Sequence, residues 1–429
     1  MSEWPIGVAV LAALLLTGMP IAFALALVGL AGTASIIGWQ PSLALIGQTF
    51  FENGRNYSLS VLPLFLMMGN FVVQSGIARD LYAAAHAWLR HRPGGLAIAT
   101  VIACGGFSSV CGSSIATAAT MSKIALPSMR RFGYPDEIST ASIAAGGTLG
   151  ILIPPSVILV FYGIMTQQDI GKLFLAGIIP GIVGVIGYAI AVMISVKLRG
   201  GRMRTEPKLP LRDRFAALGR TSGALALFVF VMGGIYFGVF TPTESAGMGA
   251  AGAFLLVIAS RRLNLRETLE TLFETARTTA MMFFILFGAL TFTNYVNLSG
   301  MTADMQELLT VFGSSPLAVL LTILVIYLVL GCMLEGLSMI MLTVPIFYPV
   351  VASLGIDLIW FGIFVVIVTE ISYITPPVGM NAFVLKSVVK DVSLKTIFSG
   401  LVPFLALDIV RVALIIAIPG IVLLLPSSM

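Results

Sequence analysis

Apolar residues run through this chain in long blocks, separated by short polar or glycine- and proline-containing breaks. The blocks cover about 4–18, 20–37, 58–75, 94–128, 136–168, 174–196, 221–240, 243–260, 276–298, 316–351, 358–385 and 397–425. A bilayer core of about 30 Å takes roughly 20 apolar residues per helix, so the blocks predict a polytopic all-α membrane protein. Thr17-Gly18-Met19-Pro20 parts the first two blocks, which predicts short, tilted helices there. Three blocks are too long for one untilted span: 94–128, 136–168 and 316–351. As a helix, 136–168 would reach about 50 Å at 1.5 Å per residue.

The blocks repeat. A shift of 222 residues carries Pro20 onto Pro242, Pro127 onto Pro349, Pro154-Pro155 onto Pro376-Pro377, Gly133 onto Gly355 and Asp169 onto Asp391. At 223, Pro93 meets Pro316, Gly177 meets Gly400 and Pro180 meets Pro403. These matches predict two structural repeats, over about 4–196 and 226–425.

Composition confirms the environment. Of 429 residues, 58% are hydrophobic and 10% charged, which excludes a soluble globular enzyme, a disordered chain and a nucleic-acid binder. Lys and Arg are absent from 1–54 and 278–385 and concentrated in 197–220, which holds Lys197, Arg199, Arg202, Arg204, Lys208, Arg212, Arg214 and Arg220. The positive-inside rule makes 197–220 a solvated cytoplasmic loop between the halves 1–196 and 221–429. Arg261, Arg262, Arg266 and Arg277 then lie inside, the loop 299–315 with Asp304 and Glu307 lies outside, and Lys386, Lys390 and Lys395 lie inside. Block 316–351 therefore enters and leaves on the outer side, as a re-entrant hairpin. Block 94–128 has Arg90 and Arg92 before it and Arg130 and Arg131 after it, so it is a hairpin opening to the cytoplasm. The halves are predicted to be inverted repeats, the mark of a secondary transporter with its site at their interface. Both termini come out on the outer side, and with no basic residue ahead of the first apolar run that segment is expected to be retained.

Irregular backbone at membrane depth is tolerated where it lines a cavity. The first hairpin is expected to turn within residues 105–114, which end in Gly112-Ser113-Ser114, and the second within 331–338, which end in Glu335-Gly336-Leu337-Ser338. The broken helices, about 136–168 and 358–385, are interrupted around Gly146–Ser156 and Thr369–Pro377. Tandem prolines remove donors and free carbonyls, and carbonyls with Ser and Thr hydroxyls suit a hard monovalent cation. Half-helix N-termini suit an anionic group. We expect one cation site at Ser113, Ser114, Thr148 and Gly150, and a second at Gly336, Ser338, Thr369, Ser372 and Thr375. The substrate is expected near Ser114, Pro154, Pro155, Ser156 and Asn381. Glu335 and Glu370, acidic groups deep in apolar sequence, are candidate coupling groups. Asp408 and Arg411, at i and i+3, read as a structural pair or a subunit contact. No phosphate-cradling loop, metalloprotease motif, nucleophile elbow or Cys/His cluster is present, so the sequence predicts no enzyme and no cofactor.

Five segments carry a resemblance: Ser60–Leu66, Gly112–Ala118, Pro127-Ser128-Met129 with Phe132-Gly133-Tyr134, Gly147–Ser156, and Ile374–Asn381. The chain resembles the large membrane subunit of a tripartite ATP-independent periplasmic (TRAP) transporter over essentially its whole length. The resemblance implies an elevator-type permease of the bacterial inner membrane, which makes the outer side reached by the termini in the charge argument the periplasm. It implies partnership with a small membrane subunit and a periplasmic binding protein. It also implies sodium-driven import of a small organic anion such as a dicarboxylate, keto acid, sugar acid or sialic acid. Two other readings stay open: a stand-alone divalent-anion carrier of similar inverted-hairpin architecture, and a proton-coupled carrier using Glu335 and Glu370.

Overall fold

The computed structural model describes residues 4–199, 203–260, 264–311 and 315–429, and every regular element among them is helical. Arg202, Arg261 and Arg262, part of the orientation argument, lie outside the described residues. Among the described residues, six helices are long and apolar enough to cross a membrane, or seven if the bent pair Leu211–Gly219 and Ser222–Tyr236 counts as one span. Exposed Ile182, Ile186, Val229, Leu255, Ile409 and Val410 suit these helices to lipid.

Block 94–128 folds as a helical hairpin of Gly95–Cys111 and Ser114–Arg131. Its arms are antiparallel. The Thr100 hydroxyl lies 3.8 Å from Met129 Sδ, and the Leu96 amide donates to the Tyr134 hydroxyl at 3.3 Å. Gly112 turns the tip at φ 67°, a conformation that favours glycine, and Ser113 caps the second arm by accepting from the Ala116 amide. Block 316–351 pairs Pro316–Leu330 with Gly336–Ser353 in the same manner, tied near its tip by Tyr327 and Thr343.

Each hairpin is followed by an interrupted helix. The first runs Asp136–Thr148, then a short turn, then Val157–Thr166; the second runs Leu358–Ser372, then Met380–Val388. Both breaks start later than the sequence reading placed them. A helix proceeds until an N–H is missing, and Pro376 lacks the donor that Ser372 would receive. Thr369 accordingly still sits in regular helix, its hydroxyl donating to the Val365 carbonyl. The Pro154–Pro155 and Pro376–Pro377 bonds are both cis.

Two segments read as loops differ. Residues 301–311 form a helix, and Asp304 accepts from the Trp4 indole at 2.7 Å. The basic segment 197–220 is no free solvated loop. Lys197 and Arg199 finish the helix Ile170–Arg199, and 211–219 is helical. Between them the chain is strapped to the hairpin ends: the Arg204 amide donates to Phe132 O, and Glu206 receives His86 at 3.0 Å and pairs with Arg90. Arg214 is buried, donating to Leu209 O and lying 5.6 Å over the Trp88 ring. Partners within the fold take up the charges of Glu206 and Arg214, while Lys197, Arg199, Arg204, Lys208, Arg212 and Arg220 stay exposed.

A separate set of helices packs by close backbone approach. Ile21–Ile37 runs against Leu265–Leu298, and a Cβ at Gly29 would sit 2.7 Å from the Thr291 carbonyl oxygen and the Phe292 nitrogen. Small residues allow this approach where lipid offers no hydrophobic drive for helix pairing.

Candidate functional site

A cavity of about 310 Å³ lies between the two hairpin tips. Residues 112–116 bring the start of the helix Ser114–Arg131 to its wall, and Glu335 and Leu337 bring the start of Gly336–Ser353. The opposite wall comes from Asn70 and Gln74 on the helix Val61–Gln74, and from Glu274 and Thr278 on Leu265–Leu298. Tyr373 closes it at the second break. The wall thus combines two positive helix ends with two carboxylates, Glu274 and Glu335, and among the described residues lining it there is no Lys or Arg.

Of the expected site residues, Ser113, Ser114 and Glu335 line this cavity. Asn381 reaches the first tip from the other half: its Nδ2 donates to Ser114 Oγ at 2.6 Å and to the Ala144 carbonyl at 2.9 Å. Its Oδ1 is buried and takes no hydrogen bond from the described residues. Gly147 packs against the same junction, where a Cβ would lie 3.2 Å from Ser114 O.

The second tip meets the second break. The Gly336 amide donates to the Tyr373 hydroxyl at 2.5 Å, and a Cβ at Gly336 would lie 2.8 Å from the Thr369 methyl. The hydroxyls of Thr369, Ser372 and Thr375 each donate to a carbonyl of their own helix. Their protons are engaged while lone pairs remain, a state that suits holding a cation and not donating to an anion. Ser338 is buried on the second tip.

Other expected residues point elsewhere. Thr148 Oγ1 donates to Ala145 O and faces the Tyr188 hydroxyl. Gly150 packs on Ser108 of the first hairpin. Ser156 caps the helix Val157–Thr166 and bonds Ile151 O, so its hydroxyl serves the backbone. Pro154 and Pro155 are buried and shape the break. Glu370 does not face the cavity; it is ion-paired with Arg411 at 2.7 Å, and Arg411 also lies 3.1 Å from Asp408.

The sequence reading missed Asn70, Gln74, Glu274, Thr278 and the role of Tyr373. A signal existed for one pair: Asn70 with Gln74 is a polar pair at i, i+4 on an otherwise apolar helix, whereas Glu274 and Thr278 are hidden among the other polar residues of 266–279. The ion pair of Glu370 carried no such sign, because Arg411 lies 41 residues away.

Comparison with known proteins agrees with this architecture. The family model described as "Tripartite ATP-independent periplasmic transporter, DctM component" matches residues 8–421. The chain is 36% identical to the C4-dicarboxylate TRAP transporter large permease protein DctM of Pseudomonas aeruginosa, over 93% of each chain. It is 33% identical to the sialic acid TRAP transporter large permease protein SiaM of Vibrio cholerae, over 96% of each. The YdaH transporter of Alcanivorax borkumensis shares the fold with a TM-score of 0.61 at 13% identity, over 90% of this chain and 89% of that one. The chain therefore belongs to the DctM family of TRAP transporter large permeases, multi-pass membrane proteins that transport and are not enzymes.

Proposed function

We propose that this chain is the transmembrane subunit of a sodium-coupled secondary importer of small organic anions. A periplasmic binding protein delivers the solute, and a small membrane subunit completes the complex. The observation that carries this reading is the wall of the cavity between the tips. Two helix N-termini favour an anion there, while Glu274 and Glu335 oppose one. At an effective dielectric near 20, like charges about 4 Å apart repel by roughly 4 kcal/mol, so an anion enters favourably only in the company of cations. The hydroxyl oxygens at the second break, with Asn381 Oδ1 and Ser114 near the first tip, are the places for them.

In this reading the two halves are inverted repeats, and the hairpins and broken helices move as an elevator against the remaining helices. The protein sits in the bacterial inner membrane with both termini in the periplasm. The relatives transport a C4-dicarboxylate and a sialic acid, and the proposed substrate here is a carboxylate of that general kind. The test is uptake into vesicles holding both membrane subunits, with the binding protein outside and radiolabelled dicarboxylates and sugar acids as solutes. Uptake that follows an inward sodium gradient and stops without the binding protein is the expected result. Uptake without the binding protein and indifferent to sodium would overturn the reading.

Proton coupling has one observation in its favour, the position of Glu335 in the cavity wall. Uptake driven by a pH gradient alone, and lost in Glu335→Gln, would select it over sodium coupling.

A further inference from the structure

Away from the cavity, a chain of buried polar contacts links the two breaks. Thr148 closes the helix before the first break, and its Oγ1 lies 3.4 Å from the Tyr188 hydroxyl. Tyr188 donates to Asp408 Oδ2 at 2.8 Å. Asp408 Oδ1 lies 3.1 Å from Arg411 Nη2, and the same nitrogen donates to Glu370 Oε2 at 2.7 Å. Glu370 stands in the last turn before the second break. The most exposed of the five, Arg411, is 3% exposed.

The repeat register gives a second observation. Thr148 and Glu370 are 222 residues apart, and Tyr188 and Arg411 are 223 apart, the two shifts that align the prolines. The end of each broken helix therefore meets the same position of the long helix that follows it. In the first half the meeting is two hydroxyls; in the second it is an ion pair. Asp408 joins them. Gly184, one turn before Tyr188, leaves room: a Cβ there would overlap Arg411 Nη1 and lie 2.8 Å from Leu149 Cδ2.

A buried guanidinium between two carboxylates is a poor source of stability, since desolvation offsets most of the attraction. Its best-attested use is to fix one arrangement among several. We propose that Arg411 is a positioning residue: its network holds the second break at one separation from the helix end that packs against the first tip, so that a cation bound at the second break favours a cation beside Ser114 and Asn381. The proposal rests on the sodium-coupled reading given above.

Tyr188→Phe tests it with the loss of one oxygen, keeping the ring that lies 5.9 Å from the guanidinium. Arg411→Lys keeps the charge but loses the planar fork that serves two carboxylates. Sodium dependence of uptake is measured in vesicles holding the complete transporter, beside the solute KM at saturating sodium and the melting temperature of the purified protein. Both variants are expected to lose sodium cooperativity and to raise half-saturating sodium about fivefold, the lower range of typical coupling. For Tyr188→Phe, KM and melting temperature should stay at wild-type values. A lowered melting temperature with unchanged sodium curves in both variants would show a merely structural contact and overturn the proposal. Wild-type uptake that ignores sodium would instead sink the coupling reading, and the proposal with it.

Discussion

The Asn381–Ser114 contact allows a quantitative test of how the two halves hold together. Interhelical hydrogen bonds in membrane proteins contribute about 0.6 kcal/mol on average and about 1.7 kcal/mol at most. This one belongs near the upper end. It is 2.6 Å long, its residues are 0% and 3% exposed, and Nδ2 gives its second hydrogen to Ala144 O. Ser114→Ala leaves Nδ2 with one of its two acceptors, and should cost about 1 kcal/mol. Asn381→Ala removes both bonds and leaves unfilled volume, and should cost about 2–3 kcal/mol. The double variant should cost less than the sum, because the shared bond is lost only once; the coupling energy should be about 1–1.5 kcal/mol. Denaturant unfolding of the four proteins in mixed micelles, at matched slopes, measures this. A coupling energy below about 0.3 kcal/mol, the scatter for independent sites, would refute the assignment of this bond as a tie between the halves.

Three further outcomes are expected. Gly29→Ala places a Cβ 2.7 Å from the Thr291 carbonyl oxygen and should destabilise the pair Ile21–Ile37 and Leu265–Leu298 by about 1–3 kcal/mol, read as a lower melting temperature. Asp391 has its carboxyl held below the ordinary range by a backbone amide and by Arg130, 2.8 Å away. A depressed carboxyl stabilises above its unfolded value and loses that contribution as pH falls through the folded value. Asp391→Asn should therefore flatten the fall of melting temperature below about pH 4, and an unchanged acid limb would exclude this carboxylate as a contributor. Lys208→Cys, in a protein whose three cysteines are replaced, should react with an impermeant thiol reagent only from the cytoplasmic side.

Much of this fold is legible because the bilayer allows few solutions. Runs such as 316–351 exceed one span and have like-signed flanks, and among compact helical forms a hairpin meets both conditions. The breaks at Pro154-Pro155 and Pro376-Pro377 are equally readable, since a missing donor is a local matter. What escapes is set by packing between distant segments. Ser114 meets Asn381 across 267 residues and Tyr188 meets Asp408 across 220. No spacing rule brings such pairs together, and the direction of the Thr148 hydroxyl follows from them. The strap at 203–210 escaped for a similar reason: the charge of Glu206 suggests water, while its partners, His86 and Arg90, lie on a helix far upstream or at its end.

The two hairpin tips are fastened differently, and this bears on which can act as a gate. Ser114 at the first tip is bolted to Asn381, across the boundary between halves. The second tip is bolted within its own half, Gly336 to Tyr373. Lifting the first tip alone breaks a bond between halves, whereas the second tip can swing together with the helix that holds it and keep its bond. In the proposed elevator both hairpins travel together, and the unequal latches bear on local opening: the tip expected to open without breaking a bond between halves is the one that carries Glu335.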